Sequence, residues 1–420
     1  MSFNIGLSGL RTTNQSLNTI SHNIANVSTA GFKAGRAEFA AVYSGGRPGG
    51  VELANVSQDF DADGAVEYTG RALDMAISGR GFFVVSQGGQ TAYTRAGTFS
   101  SDADNYIITA TGARLQGYLV DGDNNLTPGV IGDLRVNTGT LEANATTRYE
   151  FGANLKADLP AIDITAADYA FDPEKTATYH FSYSGRVYDS LGAEHVLNQY
   201  FVKTDENSWR VHYSIDGVVL PGTSDLTFTS DGKLARPAGG DRVLTHTVTH
   251  TPTTGAAELS VEISYGETFD AATPEDFNPA GQLMRQFAGD FAVSRNEANG
   301  YGAGELAGIR VESDGSLYAV YTNNQSLLQG RVILADFNNP NGLTTGDNTT
   351  WYQSFASGAA NIGAPETGAL GTLTTGAYEG SNVELTGELV NLMTAQRNYQ
   401  ANAKSISTAD QMTKVLFNTI

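Results

Sequence analysis

"ANVSTAGFKAG", residues 25–35, halts a helical pattern in a Ser/Thr/Gly turn that carries one aromatic residue and one lysine. Behind it, Phe3, Leu10, Leu17 and Ile24 recur every seven residues, with Gly6, Thr13, Ile20 and Val27 as a second, half-apolar row. This spacing predicts a helix from residue 3 to about 27 with a heptad seam. Its other faces hold Asn4, Ser8, Asn14, Ser16, Asn18, Thr19 and Asn23 rather than Lys and Glu, and Gly6 and Gly9 lie inside it. Each interior glycine costs about 1 kcal/mol relative to alanine, and asparagine is also a poor helix former. Alone in water such a segment is expected to be largely unfolded.

The other end of the chain mirrors it. Leu385, Leu392, Tyr399, Ile406, Thr413 and Ile420 are spaced by seven, with Leu389, Gln396, Ala403, Asp410 and Phe417 as the companion row. "SNVE" at 381–384 fits a capping box with Ser381 as N-cap and Glu384 three residues on. A helix from Ser381 to the end, with no internal stop, points to a coiled coil or bundle. Two readings of the ends stand side by side: a helical pair inside an ordinary domain, or helices whose further partners are other copies of the chain. Faces rich in Asn, Ser, Thr and Gln suit packing or a wet lumen better than open solvent. Terminal position also tolerates an unfolded tail before assembly.

The charge separates ends from middle. Residues 1–32 hold Arg11 and no acid, and residues 381–420 balance three acids with three bases, so nearly all of the net charge of −20 lies between. An acidic chain is a poor ligand for nucleic acid or an anionic membrane surface. With no cysteine there is no disulfide framework or thiolate site. No run of 18 apolar residues suggests a transmembrane helix. The stretch MSFNIGLSGLRTTNQ has neither a basic n-region nor a continuous apolar h-region, so no cleavable signal peptide is expected.

From about residue 71 to 360 the pattern is β. Trp209, Val211, Tyr213 and Ile215 alternate with polar residues, as do Leu259, Val261, Ile263 and Tyr265. Turn signals recur at "DGDNN" (121), "IDGV" (215), "SDGK" (230) and "SDGS" (313). All-β domains of sandwich or barrel type are expected. The 420 residues suffice for roughly two to four domains at about 150 each.

The expected fold is multidomain α+β and nested. A terminal coiled-coil core is formed by residues 1–33 and 381–420. Extended connectors cover 34–70 and 359–380, with "YSGGRPGG" (43–50) and "ASGAANIGAPETGALG" (356–371) as flexible stretches. A discontinuous β domain takes 71–144 and 286–358, and a second β domain, 145–285, is inserted into it. The candidate helix-core residues are Phe3, Leu10, Leu17, Ile20, Ile24, Leu385, Leu389, Leu392, Tyr399 and Ile406.

Catalytic and metal motifs find no support. "DFDADG" (59–64) has EF-hand spacing, but its twelfth position is Gly70 where a bidentate Glu is required, so a solvated turn is expected. His246 and His250 in "THTVTHT" share one strand face without an evident third ligand and are read as solvent-facing. His195 lies near Asp189 and Glu194 with no nucleophile beside it. No G-x-S-x-G elbow, Walker loop or H-E-x-x-H occurs. The chain is expected to be no enzyme, with no cofactor and no metal.

At this point the residues carry a family. "ANVSTAGFK" (25–33) resembles the shared turn of bacterial flagellar rod and hook proteins. "TGRALDMAISGRGFFVV" (69–85) and "YTRAGTFSSDADNYIITATGARLQGY" (93–118) resemble their common β domain, and "GAYEGSNVELTGELVNLMTAQRNYQANAKSISTADQM" (376–412) their C-terminal helix. The inserted "VYDSLGAEHVLNQYFVKTDENSWRVHYSIDG" and "LTFTSDGKL" resemble the outer domain on the hook side of that family rather than the shorter distal-rod side. The resemblance implies a structural subunit of the hook, self-assembling into a curved hollow tube that acts as a universal joint between rod and filament. It implies type III export without a cleaved signal and a place in the extracellular flagellum. The implied partners are further copies of the chain, the distal rod, the hook cap, the hook–filament junction proteins and the export apparatus, with no nucleic acid and no membrane insertion. It marks Asn26, Gly31, Phe32 and Lys33 as a turn motif that ends the inner helix. Gly31 is expected to supply a backbone angle other residues resist, and Phe32 to anchor the turn by burial. The competing readings are a distal-rod subunit and, from another class, a secreted β-rich adhesin.

Overall fold

The computed structural model describes residues 2–44, 47–122, 124–166, 169–237, 240–270, 273 and 277–418. Ile420 of the expected heptad row, the side chain of Phe417, Gly45 and Gly46 of the expected connector, and Asp123 of the "DGDNN" turn lie outside the described residues. The chain is mostly β with two terminal helices, α1 (Ser2–Ala25) and α2 (Leu385–Asn418), and it divides into two compact units. Unit 1 is Met1–Thr138, Ala307–Val320 and Ser326–Ile420; unit 2 is Gly139–Leu306 and Tyr321–Gln325. The inserted unit is therefore longer at both ends than the expected 145–285.

In unit 1, α1 packs on α2 and on an antiparallel pair of strands, β1 (Gly35–Ser44) and β2 (Arg47–Gln58). That ladder runs from Gly35↔Gln58 to Ser44↔Arg47 with bulges at Glu38/Phe39 and Val42/Tyr43. A ladder thus stands where a flexible connector was expected. The later connector is also structured: Thr372–Thr375 pairs with Met75–Ser78, and Ala377–Glu379 with Val66–Tyr68. Helix α2 begins at Leu385 rather than Ser381, and the Ser381 hydroxyl accepts from the N–H of Val383. Ser381 therefore shapes the turn before the helix instead of capping it.

The apolar run at 82–85 shows why unit 1 holds together. Phe83 and Val85 enter one core with Met75, Ile77, Leu115 and Leu334, whereas Phe82 and Val84 enter another with Tyr93, Phe337 and Trp351. A strand buried on both faces reads as a continuous apolar run rather than an alternation. Phe60 packs edge-on against Phe82 and Trp351, which ties the "DFDADG" turn to the second core.

Unit 2 is a two-sheet sandwich around one core. One sheet orders Phe181–Tyr188, Glu194–Asp205, Ser208–Ile215 and Val218–Thr227 antiparallel. The other includes Val243–His250, Leu259–Glu267, Arg148–Lys156, Arg285–Phe287 and Ala292–Ala298. The two expected alternations hold: Trp209, Val211, Tyr213 and Ile215 meet Leu259, Val261, Ile263 and Tyr265 inside. Positive φ at Asp216 (51°) and Gly217 (81°) makes "IDGV" a hairpin turn of the kind that matches strand twist. Where the chain enters and leaves this unit, Leu141 and Gly304 exchange backbone hydrogen bonds of 2.8 and 3.0 Å, and Asn144 and Tyr301 exchange two of 2.9 Å.

The strand holding His246 and His250 presents that face inward, correcting the solvent-facing expectation. Val248 between them is buried, and His246 stacks on Tyr213 at 4.9 Å. His212 stacks on Phe171 at 4.1 Å, and the Nε2 atoms of His212 and His246 are buried with no hydrogen-bond partner among the described residues. Burial holds both imidazoles, and that of His180, below the usual histidine range. A folded-state pKa below the unfolded value means the native state binds fewer protons. Stability from these groups is present above about pH 6.5 and is lost as pH falls below it. The variant His212→Phe keeps the stacked ring and removes one such group. Its unfolding temperature should fall less than that of the unmodified chain between about pH 7.5 and about pH 5. Equal falls in calorimetry would show that His212 does not contribute.

Candidate functional site

The two features singled out in the sequence, the terminal helices and the turn at 25–35, meet in unit 1. Gly6 and Gly9 face α2 where a side chain has no room. A Cβ on Gly6 would stand 2.8 Å from Ile406 Cγ1, and one on Gly9 2.9 Å from Asn402 Oδ1. The propensity lost at these glycines therefore goes into close helix contact. Ile20 and Ala395 are buried in this pairing, and Leu10, Leu17, Ile24, Leu392 and Ile406 are half-buried. Phe3 is 51% exposed, and Leu385, Leu389 and Tyr399 are each 43% exposed. The heptad row on α2 is thus split. Part of it is covered by α1, and Leu385, Leu389 and Tyr399 stay exposed, as do Val390 and Met393.

The turn ends α1 by local hydrogen bonds. Asn26 Nδ2 donates to the carbonyl of His22 at 2.9 Å, and the Thr29 hydroxyl donates to Asn26 Oδ1 at 3.1 Å. Gly31 has φ +67°, and a Cβ there would collide with the Arg95–Ala96 backbone. Both left-handed geometry and lack of space require glycine. Phe32 is buried, edge-on to His22 at 5.4 Å.

Lys33, which the sequence marks only through resemblance, is fully buried. Its Nζ donates to Glu379 Oε1 and to the carbonyl of Ala62, both at 2.8 Å. Glu379 accepts from Arg95 Nη1 at 3.2 Å and from the N–H of Gly64 at 2.9 Å, and its own carbonyl accepts from the N–H of Gly31 at 2.8 Å. Asp63, half-exposed, lies 3.9 Å from Lys33 Nζ and 3.6 Å from Arg95 Nη1. Two cations and two carboxylates thus balance, as burial of charge demands. The "DFDADG" segment is the solvated turn expected, with Asp59, Asp61 and Asp63 all exposed, and Asp63 also neighbours the buried cations. Asn382 completes the clasp. Its Oδ1 accepts from the N–H of Ala34 at 2.7 Å, and its Nδ2 donates to the carbonyls of Asp59 and Ala62. On the helix side, Asn23 exchanges hydrogen bonds of 2.9 and 2.8 Å with Gly35 and donates to Glu388 Oε1 at 3.2 Å. The N-terminal turn is therefore fastened to the strand that precedes α2. Glu379, Arg95, Asp63 and Asn382 were not visible as a site, because Glu379 pairs with residues 284 and 346 positions away. An acid beside Gly380 just ahead of a helix was the one local sign.

No helix among the described residues is long and apolar enough to cross a membrane. Family matches cover both chain ends, the β domain of unit 1 and the inserted sandwich. Residues 3–33 match the flagella basal body rod protein family, 76–165 the flagellar hook protein FlgE/F/G D1 domain, 154–301 the flagellar basal body protein FlaE D2 domain, and 374–419 the flagellar basal body rod FlgEFG protein C-terminal family. Flagellar hook protein FlgE of Escherichia coli K12 is 34% identical and that of Salmonella typhimurium LT2 35%, each comparison covering all of both chains. The FlgE of Borreliella burgdorferi is 29% identical over 98% of this chain and 97% of its own. The crystal structure of Helicobacter pylori flagellar hook protein FlgE2 has a TM-score of 0.51 at 12% identity, covering 74% of this chain and 98% of that one, and so shares the fold. The chain belongs to the flagellar hook protein FlgE family and is a structural subunit of the hook.

Proposed function

We propose that copies of this chain polymerise through their terminal helices into a curved, hollow tube that acts as a universal joint and passes motor torque from rod to filament. The observation that carries the reading is the apolar surface left on the helical pair. Phe3, Leu385, Leu389, Val390, Met393 and Tyr399 are all exposed although α1 and α2 already cover one another. Apolar side chains left exposed along a helical pair call for further partners, and neighbouring copies would extend the pair into a coiled-coil-like inner wall. The acidic β units, each with its own core, would then form the outer layers and slide across polar contacts as the joint bends. Export through the growing flagellum without a cleaved leader, and contact with the distal rod, the cap and the junction proteins, belong to the same proposal.

Electron microscopy of the purified full-length chain after polymerisation tests it. Curved tubes are expected. Straight tubes would favour a distal-rod role, and a chain that stays dispersed at every concentration would overturn the assembly reading.

A further inference from the structure

Near the "IDGV" turn of unit 2 lies a cluster of side chains outside the helical pair and the clasp. We propose that His195, Asp216 and His250 form a binding site for a divalent transition metal of the zinc type. His195 lies near the start of Glu194–Asp205, Asp216 in the turn after Ser208–Ile215, and His250 ends Val243–His250. One ligand atom from each lies within 4.8 Å of the other two. Two imidazoles and a carboxylate suit zinc, whereas calcium and magnesium favour oxygen donors throughout.

The surroundings are built as a ligand histidine needs. His195 Nε2 is 3.2 Å from Asp189 Oδ2. Asp189 is fully buried, and it accepts from the N–H groups of Leu191 and Ala193 at 2.9 Å and from the Thr254 hydroxyl at 3.2 Å. A carboxylate held this firmly sets the tautomer and tilt of the ring and leaves Nδ1 for a metal. Asp216 is oriented in the same way. Its Oδ1 accepts from the N–H of Val196 at 2.9 Å, so Oδ2 points at His195 Nδ1, 2.6 Å away. Left-handed φ at Asp216 places the carboxylate there.

Charge favours the same conclusion. One imidazolium between Asp189 and Asp216 leaves a net negative charge, whereas a divalent cation with neutral imidazoles balances both carboxylates. Zinc bonds of about 2.0–2.1 Å put two tetrahedral ligands about 3.3–3.4 Å apart. Nδ1 and Oδ2 therefore separate by less than about 1 Å to admit the ion, and solvent at the partly exposed Asp216 completes the coordination. This site lies wholly in unit 2 and does not depend on the polymer. It also revises the expectation of no metal: His250 has its partners, but they are far away in sequence.

Calorimetric titration of the chelator-treated, full-length chain with zinc chloride tests the assignment, with magnesium chloride as control. One zinc per chain is expected, with no comparable magnesium binding. Zinc should raise the unfolding temperature of the unmodified chain. His250→Ala, at a strand end, should keep the zinc-free unfolding temperature and weaken zinc binding at least about tenfold, and Asp189→Asn should weaken it about 10–100-fold through the ring it positions. Cobalt(II) should give a visible spectrum with nitrogen ligands in the unmodified chain, which keeps the test decisive if a variant fails to fold. No zinc binding at about 100 μM, roughly the weak end of a useful site, would overturn the proposal. So would equal binding by His250→Ala, or cobalt bound only as the hydrated ion.

Discussion

A chain lacking residues 2–24 should form no polymer under conditions where the full chain does, while both β units stay folded. Among the described residues, none of the three buried cores contains a side chain from α1. Removing α1 uncovers Leu392, Ala395 and Ile406 on α2, in addition to the residues already exposed there. A lone α2 has no second helix to bury its stripe, and isolated helices in water are marginal because nucleation is costly. The loss should therefore be complete rather than graded. Sedimentation and electron microscopy read the polymer, and near-UV circular dichroism reads the folded sheets. Tubes from the shortened chain would show that the terminal helices are not the inner wall, and loss of the near-UV signal would show that the sheets depend on α1.

The second large effect is expected at Glu379. Glu379→Ala leaves Lys33 and Arg95 buried with only half-exposed Asp63 to balance them. Removing one partner from a buried ion pair costs about 3–5 kcal/mol, because the remaining charge is desolvated without compensation. The Arg95 Nε atom already lacks a partner among the described residues, so little reserve exists for rearrangement. Denaturant unfolding should show a loss in that range. Limited proteolysis should show faster cutting near Lys33, since its ammonium loses the carboxylate 2.8 Å away. Glu379→Gln, which keeps an acceptor but not the charge, should fall between the two. A loss below about 1 kcal/mol would place the cluster with exposed pairs, which contribute little.

The parts of this molecule that were legible in its sequence are those whose cause is local. The strands at 209–215 and 259–265 announce themselves by alternation, because each has one face on the core. Gly31 is legible because a turn that ends a helix often requires left-handed backbone. The parts that stayed hidden have distant causes. Gly6 and Gly9 read as weak points in a helix until Ile406 and Asn402 are seen across from them. The β1–β2 ladder is disguised by glycines and a proline, which signal a linker when no partner strand is in view. Ser381 had the right spacing for a cap, yet Asn382 accepts from the N–H of Ala34 and donates to the carbonyls of Asp59 and Ala62, which holds that stretch off the helical path. Glu379 and Lys33 each look like ordinary surface charge. Only folding brings them to 2.8 Å, and no periodicity in either segment encodes that distance.

The bonded bridges at Leu141–Gly304 and Asn144–Tyr301 bring together the points where the chain enters and leaves the inserted sandwich. The chain therefore leaves this stretch of the sandwich close to where it entered it. A change of length between the bridges therefore leaves in place the residues that fasten the two chain ends together.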